Sequence, residues 1–258
     1  FANSPSAVRN MGAMISIFNL LAFIDGDCVA SPNWIQKAHD ILASNGHIGA
    51  YGGPCTIPEN SNWVVKSWSS NTIIPNIRKC QSLPGANLFI RKSVFEKVGG
   101  FNENLIVAED DDICNRIRLM NYEIICDGGN AVVHLGYPDS IVTVIQKSIW
   151  HGSTQIRAMA FWKNKILILT VSWLVFLFYT IILLFNLSDY WIYSAWAFII
   201  VPAILTFFRL RKIRPEIIFP QFFKSYIIST CILLGRSIGF LREIYHFVRS
   251  ALHKFLPF

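Results

Sequence analysis

Charge is scarce in this chain. Only 15% of its 258 residues are charged, against 53% hydrophobic residues and a mean hydropathy of +0.41. Intrinsic disorder, which needs low hydrophobicity and high net charge, is excluded. The balance is also too apolar for an ordinary soluble domain, so membrane segments are the first thing to look for. Acidic residues nearly vanish from the second part: residues 161–258 hold 3 Asp+Glu against 11 Lys+Arg, whereas residues 1–160 hold 13 against 12. The net charge of +7 and the pI near 9.2 therefore belong wholly to the hydrophobic part. Basic residues placed in this way suit membrane lipids and not a nucleic-acid groove, so no nucleic-acid partner is expected. Paired cysteines are missing as well. Cys28, Cys55, Cys80, Cys114, Cys126 and Cys231 form no C-x-x-C pair and no Cys/His group at zinc spacing. That speaks against a zinc site or a disulfide framework and for reduced cytosolic thiols. There is no signal-peptide pattern at the start, no internal repeat and no low-complexity segment. The chain opens at Phe1 within what reads as a helix-bearing segment, and the expectation is a fragment whose N-terminal portion is absent.

What is present falls into three stretches. Through residue 162, strand-like and helix-like patches alternate. Leu20–Ile24 is a short apolar run ending in Asp25-Gly26-Asp27, a buried strand opening into a polar loop. Ser31-Pro32 supplies an N-cap and a first-turn proline for a helix through about Ser44. Ile48–Gly53, Ala86–Ile90, Tyr122–Cys126 and Ala131–His134 are further β runs, while Ser93–Val98 and Glu109–Met120 are helical in spacing. This alternation predicts an α/β layer structure with a mainly parallel sheet.

Residues 163–214 predict a transmembrane hairpin. Ile166–Leu187 and Tyr190–Phe208 run for 22 and 19 residues without a charge, near the roughly 20 apolar residues that cross a bilayer core as a helix. Lys163, Lys165, Arg209, Arg211, Lys212 and Arg214 mark the outer ends, and the Ser188-Asp189 tip carries only an acid. The positive-inside rule then puts both ends, and the domain before them, in the cytoplasm. In residues 215–258, Phe222, Phe223, Ile227, Ile228, Ile232 and Leu233 alternate with Lys224, Arg236, Arg242, Arg249 and Lys254. This is the pattern of an amphipathic helix in the headgroup layer. A third span would have to bury Arg236 or Lys224, which is costly.

Two acidic groups carry candidate chemistry. Asp25 and Asp27, on a loop at the C-terminal edge of a sheet, can ligate a hard divalent cation together with a phosphate substrate. Taken alone, a D-x-D turn is more often simply solvated. The second group is Glu109-Asp110-Asp111-Asp112 at a helix start. One or two acids there are stabilised by the macrodipole, by roughly 0.3–1 kcal/mol each, but four in a row repel one another. Asp112 and Arg116 sit at i,i+4 and pair on the helix surface, which leaves Glu109 and Asp110 on the loop side to face a pocket.

In order and spacing these elements resemble the family-2 glycosyltransferases with a GT-A fold, over roughly residues 5–160. Ser6-Ala7-Val8-Arg9-Asn10-x-Gly12 resembles the helix before the metal strand, Phe23-Ile24-Asp25-Gly26-Asp27 the D-x-D strand end, and Pro32-x-Trp34 its continuation. Gly85-Ala86-Asn87 with Gly99-Gly100-Phe101-x-Glu103 resembles the acceptor-side loop, and Glu109-Asp110-x-Asp112-Ile113-x-x-Arg116 the E-D motif and its helix. The resemblance implies that Asp25 and Asp27 hold Mg²⁺ or Mn²⁺ and the diphosphate of a nucleotide-sugar donor, with Arg9 near the nucleotide. It implies Asp110 as general base, and Gly85, Ala86, Asn87 and Glu109 bordering the acceptor. His134 has two readings, a packed strand-end histidine, which is preferred, and an approach to the metal or diphosphate. Trp150 is read equally as floor of the sugar pocket and as a membrane-edge tryptophan.

Two departures qualify the resemblance. The strand and loop that open the family's sheet and hold the nucleotide base are absent before Arg9-Asn10. The Q-x-x-R-W motif of processive members is also absent, Gln155-Ile156-Arg157-Ala158 only grazing it. The expected function is an inverting transfer onto a lipid-linked or envelope-glycan acceptor at the cytoplasmic membrane face. Alternatives are a processive polysaccharide synthase, a metal-dependent nucleotidyltransferase, and a non-catalytic membrane scaffold with a degenerate GT-A fold.

Overall fold

The computed structural model describes residues 4–69, 76–105, 107–155, 165–186, 190–210 and 215–255. Its contacts divide the chain into two units, Phe1–Asn60 with Asn71–Tyr137, and Ser61–Ser70 with Pro138–Phe258. The division thus falls upstream of residue 162, where composition alone draws it.

The first unit contains α1 (Pro5–Ile15), β1 (Leu20–Ile24), β2 (Cys28–Val29), α2 (Trp34–Ser44), β3 (Ile48–Gly52) and β4 (Cys55–Thr56). The second unit then takes α3 (Trp63–Trp68). The chain returns to the first with β5 (Arg78–Lys79), β6 (Asn87–Arg91), α4 (Lys92–Lys97), α5 (Glu109–Leu119), β7 (Glu123–Cys126) and β8 (Val132–His134). A five-stranded sheet runs in the order β1-β6-β3-β7-β5, and β2-β8-β4 form a smaller one. The architecture is mixed α/β, but the sheet is not mainly parallel. Only β3 and β7 pair in parallel in the large sheet, and β6 runs antiparallel to both β1 and β3. β1, β3 and β7 do share one direction, as the strand–helix alternation implies. What the alternation does not reveal is that β6 inserts in reverse between β1 and β3. β1 forms one edge, with Ala22 and Ile24 on its exposed face.

Side chains alternate across the sheet, as the pleat requires. Leu88 and Ile90 of β6 join Leu21, Phe23, Phe95, Phe101, Ile113 and Ile117 in one core cluster, while Phe89 joins Trp34, Leu42, Tyr51 and Ile125 in another. Helix α2 begins later than the Ser31-Pro32 signal predicts: its cap is Asn33, which makes no side-chain capping bond, and Ser31 closes the preceding turn through Trp34 N–H.

One buried polar triangle ties the second core together. The Trp34 indole N–H donates to Asn87 Oδ1 (2.9 Å), Asn87 Nδ2 donates to the Asn130 carbonyl (2.7 Å), and Asn130 Nδ2 reaches the Trp34 carbonyl (3.4 Å). Asn87 has no exposed surface. It is therefore not an acceptor-facing side chain, because it is the first residue of β6 and points into the core.

The second unit adds α6 (Ile141–Gln155), α7 (Lys165–Phe185), α8 (Trp191–Ala195), α9 (Ala197–Leu210) and α10 (Pro215–Phe255). Ile166–Phe185 and Trp191–Leu210 are long and apolar enough to cross a bilayer. The Ser188-Asp189 tip and Lys163, Arg211, Lys212 and Arg214 lie outside the described residues. Thr180 and Ser194 hydroxyls meet at 2.9 Å between α7 and α8, and Thr206 bonds Ser229 at 2.9 Å between α9 and α10. Helix α10 is continuous, with an exposed apolar face that includes Phe223 and Phe247. Its other face packs inside the unit, where Ile228, Ile232, Leu233 and Arg236 are buried. Gly235 and Gly239 of α10 and Gly152 of α6 make this burial feasible, since a Cβ at any of them would collide with the facing helix.

The triangle predicts the effect of Asn87→Ala. Removing the amide strands a buried indole N–H and a buried carbonyl, at about 1–3 kcal/mol each. A fall in thermal stability with unchanged acceptor KM is expected; a raised KM at unchanged stability would instead place Asn87 at the acceptor.

Candidate active site

The antiparallel pairing of β1 with β6 builds the site. Its register ends at Ile24↔Asn87, so the Asp25-Gly26-Asp27 turn leaves the sheet beside the Pro84-Gly85-Ala86 turn that enters β6. Helix α1 comes to the same place. It is started by Ser4, whose hydroxyl accepts from Ala7 N–H, and by Pro5 in the first turn. From it Arg9 reaches two carboxylates at once, Asp25 Oδ1 at 2.8 Å and Glu109 Oε1 at 2.6 Å, with its guanidinium 5.5 Å from the Phe101 ring centre. Burial alone would lower the Arg9 pKa, but the bonds to Glu109 and Asp25 outweigh it and raise the value. A Cβ on Gly85 would lie only 3.2 Å from Arg9 Nη2, so the glycine makes room for this bridge.

Asn10, the next residue, clamps the glycine loop. Its Nδ2 donates to the Phe101 carbonyl and to Glu103 Oε1, both at 2.9 Å, and its Oδ1 accepts from Phe101 N–H at 2.8 Å. Gly99 and Gly100 adopt φ of +79° and +69° in that loop, the region where glycine alone is at ease. Arg116 completes the support as its spacing predicts. It pairs with Asp112 at 2.6 Å and donates through Nη1 to the carbonyls of Val98 (2.5 Å) and Gly100 (2.7 Å).

Asp110 stands apart from these ion pairs. Its Oδ2 accepts from Gly85 N–H and its Oδ1 from Asp111 N–H, each at 2.9 Å. Burial pushes its pKa up, and the charges of Glu109 and Asp111 add to that, against the opposing Gly85 bond. Two residues earlier, Ala108 caps α5 in the left-handed region at φ 62°, a conformation costly for any residue with a Cβ. Strain of this kind is characteristic of functional sites.

The two aspartates of the D-x-D turn part company. Asp25 is engaged by Arg9, whereas Asp27 lies in a group with Cys28 and His134 whose ligating atoms all fall within 4.8 Å. His134 Nε2 is 3.6 Å from Asp27 Oδ1, because β2 and β8 pair with Cys28 opposite His134. His134 is both packed, against the Tyr137 ring at 4.5 Å, and aimed at Asp27, so its two readings are not exclusive. Its Nδ1 is buried without a hydrogen-bond partner. Burial, with Asp27 and Asp25 adding to it, raises the Cys28 thiol pKa, so the donors available to a divalent cation are the Asp27 carboxylate, a hard ligand, and the His134 imidazole, a borderline one. Sequence reasoning missed that Cys28 lies opposite His134, a strand register that no local pattern announces, and that Tyr137 packs on the His134 ring. Ala86 is buried beside Gly85. Trp150 is on α6 in the second unit, half exposed, with its ring 4.9 Å from that of His151.

The chain is similar to known proteins in sequence. The family model described as "Glycosyl transferase family group 2" matches residues 20–210. Glucosyl-dolichyl phosphate glucuronosyltransferase of Haloferax volcanii is 24% identical over 164 residues, covering 56% of this chain and 52% of that protein. Glycosyltransferase AglE of the same organism is 31% identical over 108 residues, covering 40% of this chain and 35% of the relative. The chain thus spans about half or less of the curated relatives it matches. Among solved structures, mannosyltransferase PcManGT from Pyrobaculum calidifontis, in complex with GDP-Man and Mn²⁺, overlaps with a TM-score of 0.49 at 14% identity, covering 93% and 67% of the two chains. GalNAc-T7 with UDP, GalNAc and Mn²⁺ overlaps at 0.43 and 11%, covering 60% and 37%.

The left-handed Ala108 carries a prediction. Ala108→Gly removes the Cβ clash and is expected to raise stability by about 1 kcal/mol in denaturant unfolding. A loss of stability on that substitution would show that Ala108 does not hold this conformation.

Proposed function

The chain belongs to glycosyl transferase family group 2, and on that premise we propose that it takes part in inverting transfer of a sugar from a nucleotide-sugar donor to a lipid-linked or envelope-glycan acceptor at the cytoplasmic membrane face. The observation that carries this reading is Asp110, a half-buried carboxylate with a raised pKa, fixed by two backbone N–H groups and free of any ion pair among the described residues. A carboxylate accepts at about four lone-pair positions, so two remain to take a proton. Asp110 deprotonates the acceptor hydroxyl as it attacks the anomeric carbon. One base suffices for a single displacement, which inverts the configuration.

Arg9 and Asp25 serve the donor side. Arg9 neutralises part of the local negative charge and fixes Asp25 in place, while Asp27 and His134 would hold the divalent cation. The imidazole in that pair favours Mn²⁺ over Mg²⁺, which prefers oxygen ligands. A cation bound there supplies charge neutralisation at the leaving diphosphate. Gly85 acts through its N–H, which orients the base, and Glu109 acts by holding Arg9. The two apolar helical stretches of the second unit would anchor the enzyme, with their basic flanks on the cytoplasmic side.

The test is release of nucleoside diphosphate from a nucleotide-sugar panel with Mn²⁺, measured on the full-length gene product. Asp110→Asn should keep donor affinity and lose roughly 10²–10⁴-fold in turnover. Turnover within a few-fold of wild type in the folded variant would remove the base assignment. Because burial raises the folded-state pKa, ionising Asp110 costs stability as pH rises through that window. The neutral variant escapes this cost, and its stability should lie within about 1 kcal/mol of wild type at neutral pH. Wild-type turnover should fall as pH drops through the raised value, on a limb above the ordinary carboxylate range. A limb in the ordinary range would count against the buried base.

Asp27→Asn and His134→Gln should each weaken Mn²⁺-dependent donor binding as well as turnover. Asp25→Asn is expected to act differently, by releasing Arg9 and lowering stability. Calorimetric titration of Mn²⁺ distinguishes them, and equal metal affinity in all three variants would rule out Asp27 and His134 as ligands.

A further inference from the structure

The second unit holds two arginines, Arg236 buried and Arg209 half-buried, for which the transfer chemistry has no use. Arg236, in the middle of α10, is only 9% exposed, and its Nε and Nη1 have no hydrogen-bond partner. Arg209, at the end of α9, donates through Nη2 to the carbonyls of Ser67 (2.5 Å) and Trp68 (2.8 Å), where α3 ends. Its Nη1 is buried and unpartnered. The two guanidinium groups lie in each other's electrostatic field, and His151 of α6 lies in that of Arg236. Among the described residues no carboxylate pairs with either arginine. The hydroxyls of Ser148 and Ser237 are also buried and unbonded. Ser148 packs where Gly235 meets α6.

An unpaired buried charge is expensive, and two of like sign are worse. Neither escapes by losing its proton: burial lowers the Arg236 pKa only to about 10. The glycine-mediated contact of α6 with α10 fixes the backbone beneath Arg236. Several unmet N–H donors, with a local charge near +2, match a phosphate, whose oxygens accept in the fork geometry of arginine. Arg209 is the penultimate residue of the apolar stretch Trp191–Leu210, which places it at headgroup depth, and α9 beside it exposes Ile204 and Phe207. A ligand with its phosphate here has its apolar part in the bilayer.

We propose that Arg236 and Arg209 form a buried receptor for the phosphate at the head of the lipid-linked acceptor. This rests on the transferase reading for the identity of the lipid, whereas the unmet donors are independent of it.

The experiment uses the full chain in phosphatidylcholine nanodiscs, without nucleotide sugar, in four states: no addition, a long-chain polyprenyl monophosphate, phosphatidic acid, and inorganic phosphate. Thermal unfolding is followed in each. Polyprenyl phosphate at 100-fold over its Kd should raise the midpoint by about 5 °C or more, and the other additions should raise it far less. Arg236→Met should abolish the shift while unfolding above wild type in phosphatidylcholine alone, since it removes an uncompensated charge. Arg236→Lys, which keeps charge but loses the fork, should weaken binding at least 10-fold and guards against misfolding of the first variant. An equal shift with inorganic phosphate or with phosphatidic acid overturns the assignment to the acceptor. So does no shift at all, or a shift that survives in Arg236→Met. Failure here leaves nucleoside diphosphate release untouched, and failure of the Asp110 test leaves the lipid-phosphate shift untouched, so the two readings fall separately.

Discussion

Everything at the carboxylate-rich end of the first unit depends on one guanidinium. Arg9 binds Asp25 from the β1 turn and Glu109 from the start of α5 in the same moment. Without a cation between them these carboxylates would repel, and the β1 turn and the α5 start would be held only by the Gly85–Asp110 bond and the core packing of Phe23 and Ile113. Other parts accommodate the bridge. Gly85 is small because the guanidinium lies against it, Phe101 offers its ring to it, and Asn10 holds the loop that carries Phe101. Ion pairs at a surface contribute little, but here Arg9 and Glu109 are each only 16% exposed in their side chains, so the pairing is less screened than at a free surface.

Much of the molecule is legible in its sequence. Leu20–Ile24 is a strand with the bounds its apolar run predicts, the Asp112–Arg116 pair follows from its spacing, and the long uncharged runs are helices. Those features are local: a period, an i,i+4 step or a run of apolar residues determines them. What is not legible is long-range. The reversal of β6 between β1 and β3 moves Gly85 next to Asp25 and turns Asn87 into a core residue, although both lie in one short motif. The β2–β8 register that sets Cys28 opposite His134 joins segments over a hundred residues apart. Motif order suggests which residues meet, but strand direction decides which face the site.

The second unit shows the same limit from the other side. Hydropathy marks Arg236 as the charge that should keep α10 out of the apolar layer. The structure buries it against α6 because Gly235, Gly239 and Gly152 let the two backbones approach. A helical wheel counts charge and apolar area and is blind to the absence of side chains, yet that absence is what makes the contact close. The G-x-x-x-G spacing at Gly235 and Gly239 is the signal that could have found it.

The two units follow one logic, each within itself. In the first, Asp27 pairs with no guanidinium among the described residues and faces Cys28 and His134. In the second, Arg236 and Arg209 have unmet donors and pair with no carboxylate among the described residues. In the second unit that surplus is a cost to the fold, since buried like charge opposes folding and leaves donors unmet. A core of hydrophobic residues in place of Arg236 would be the more stable solution for a helix whose task was only to anchor. An anion that takes up those donors would change the sign of the term, converting what destabilises the empty protein into binding energy that is already directed. The same holds for a cation at Asp27 and His134. On the proposed reading a metal and diphosphate would use the surplus in the first unit, and a phosphate ester would separately use that in the second.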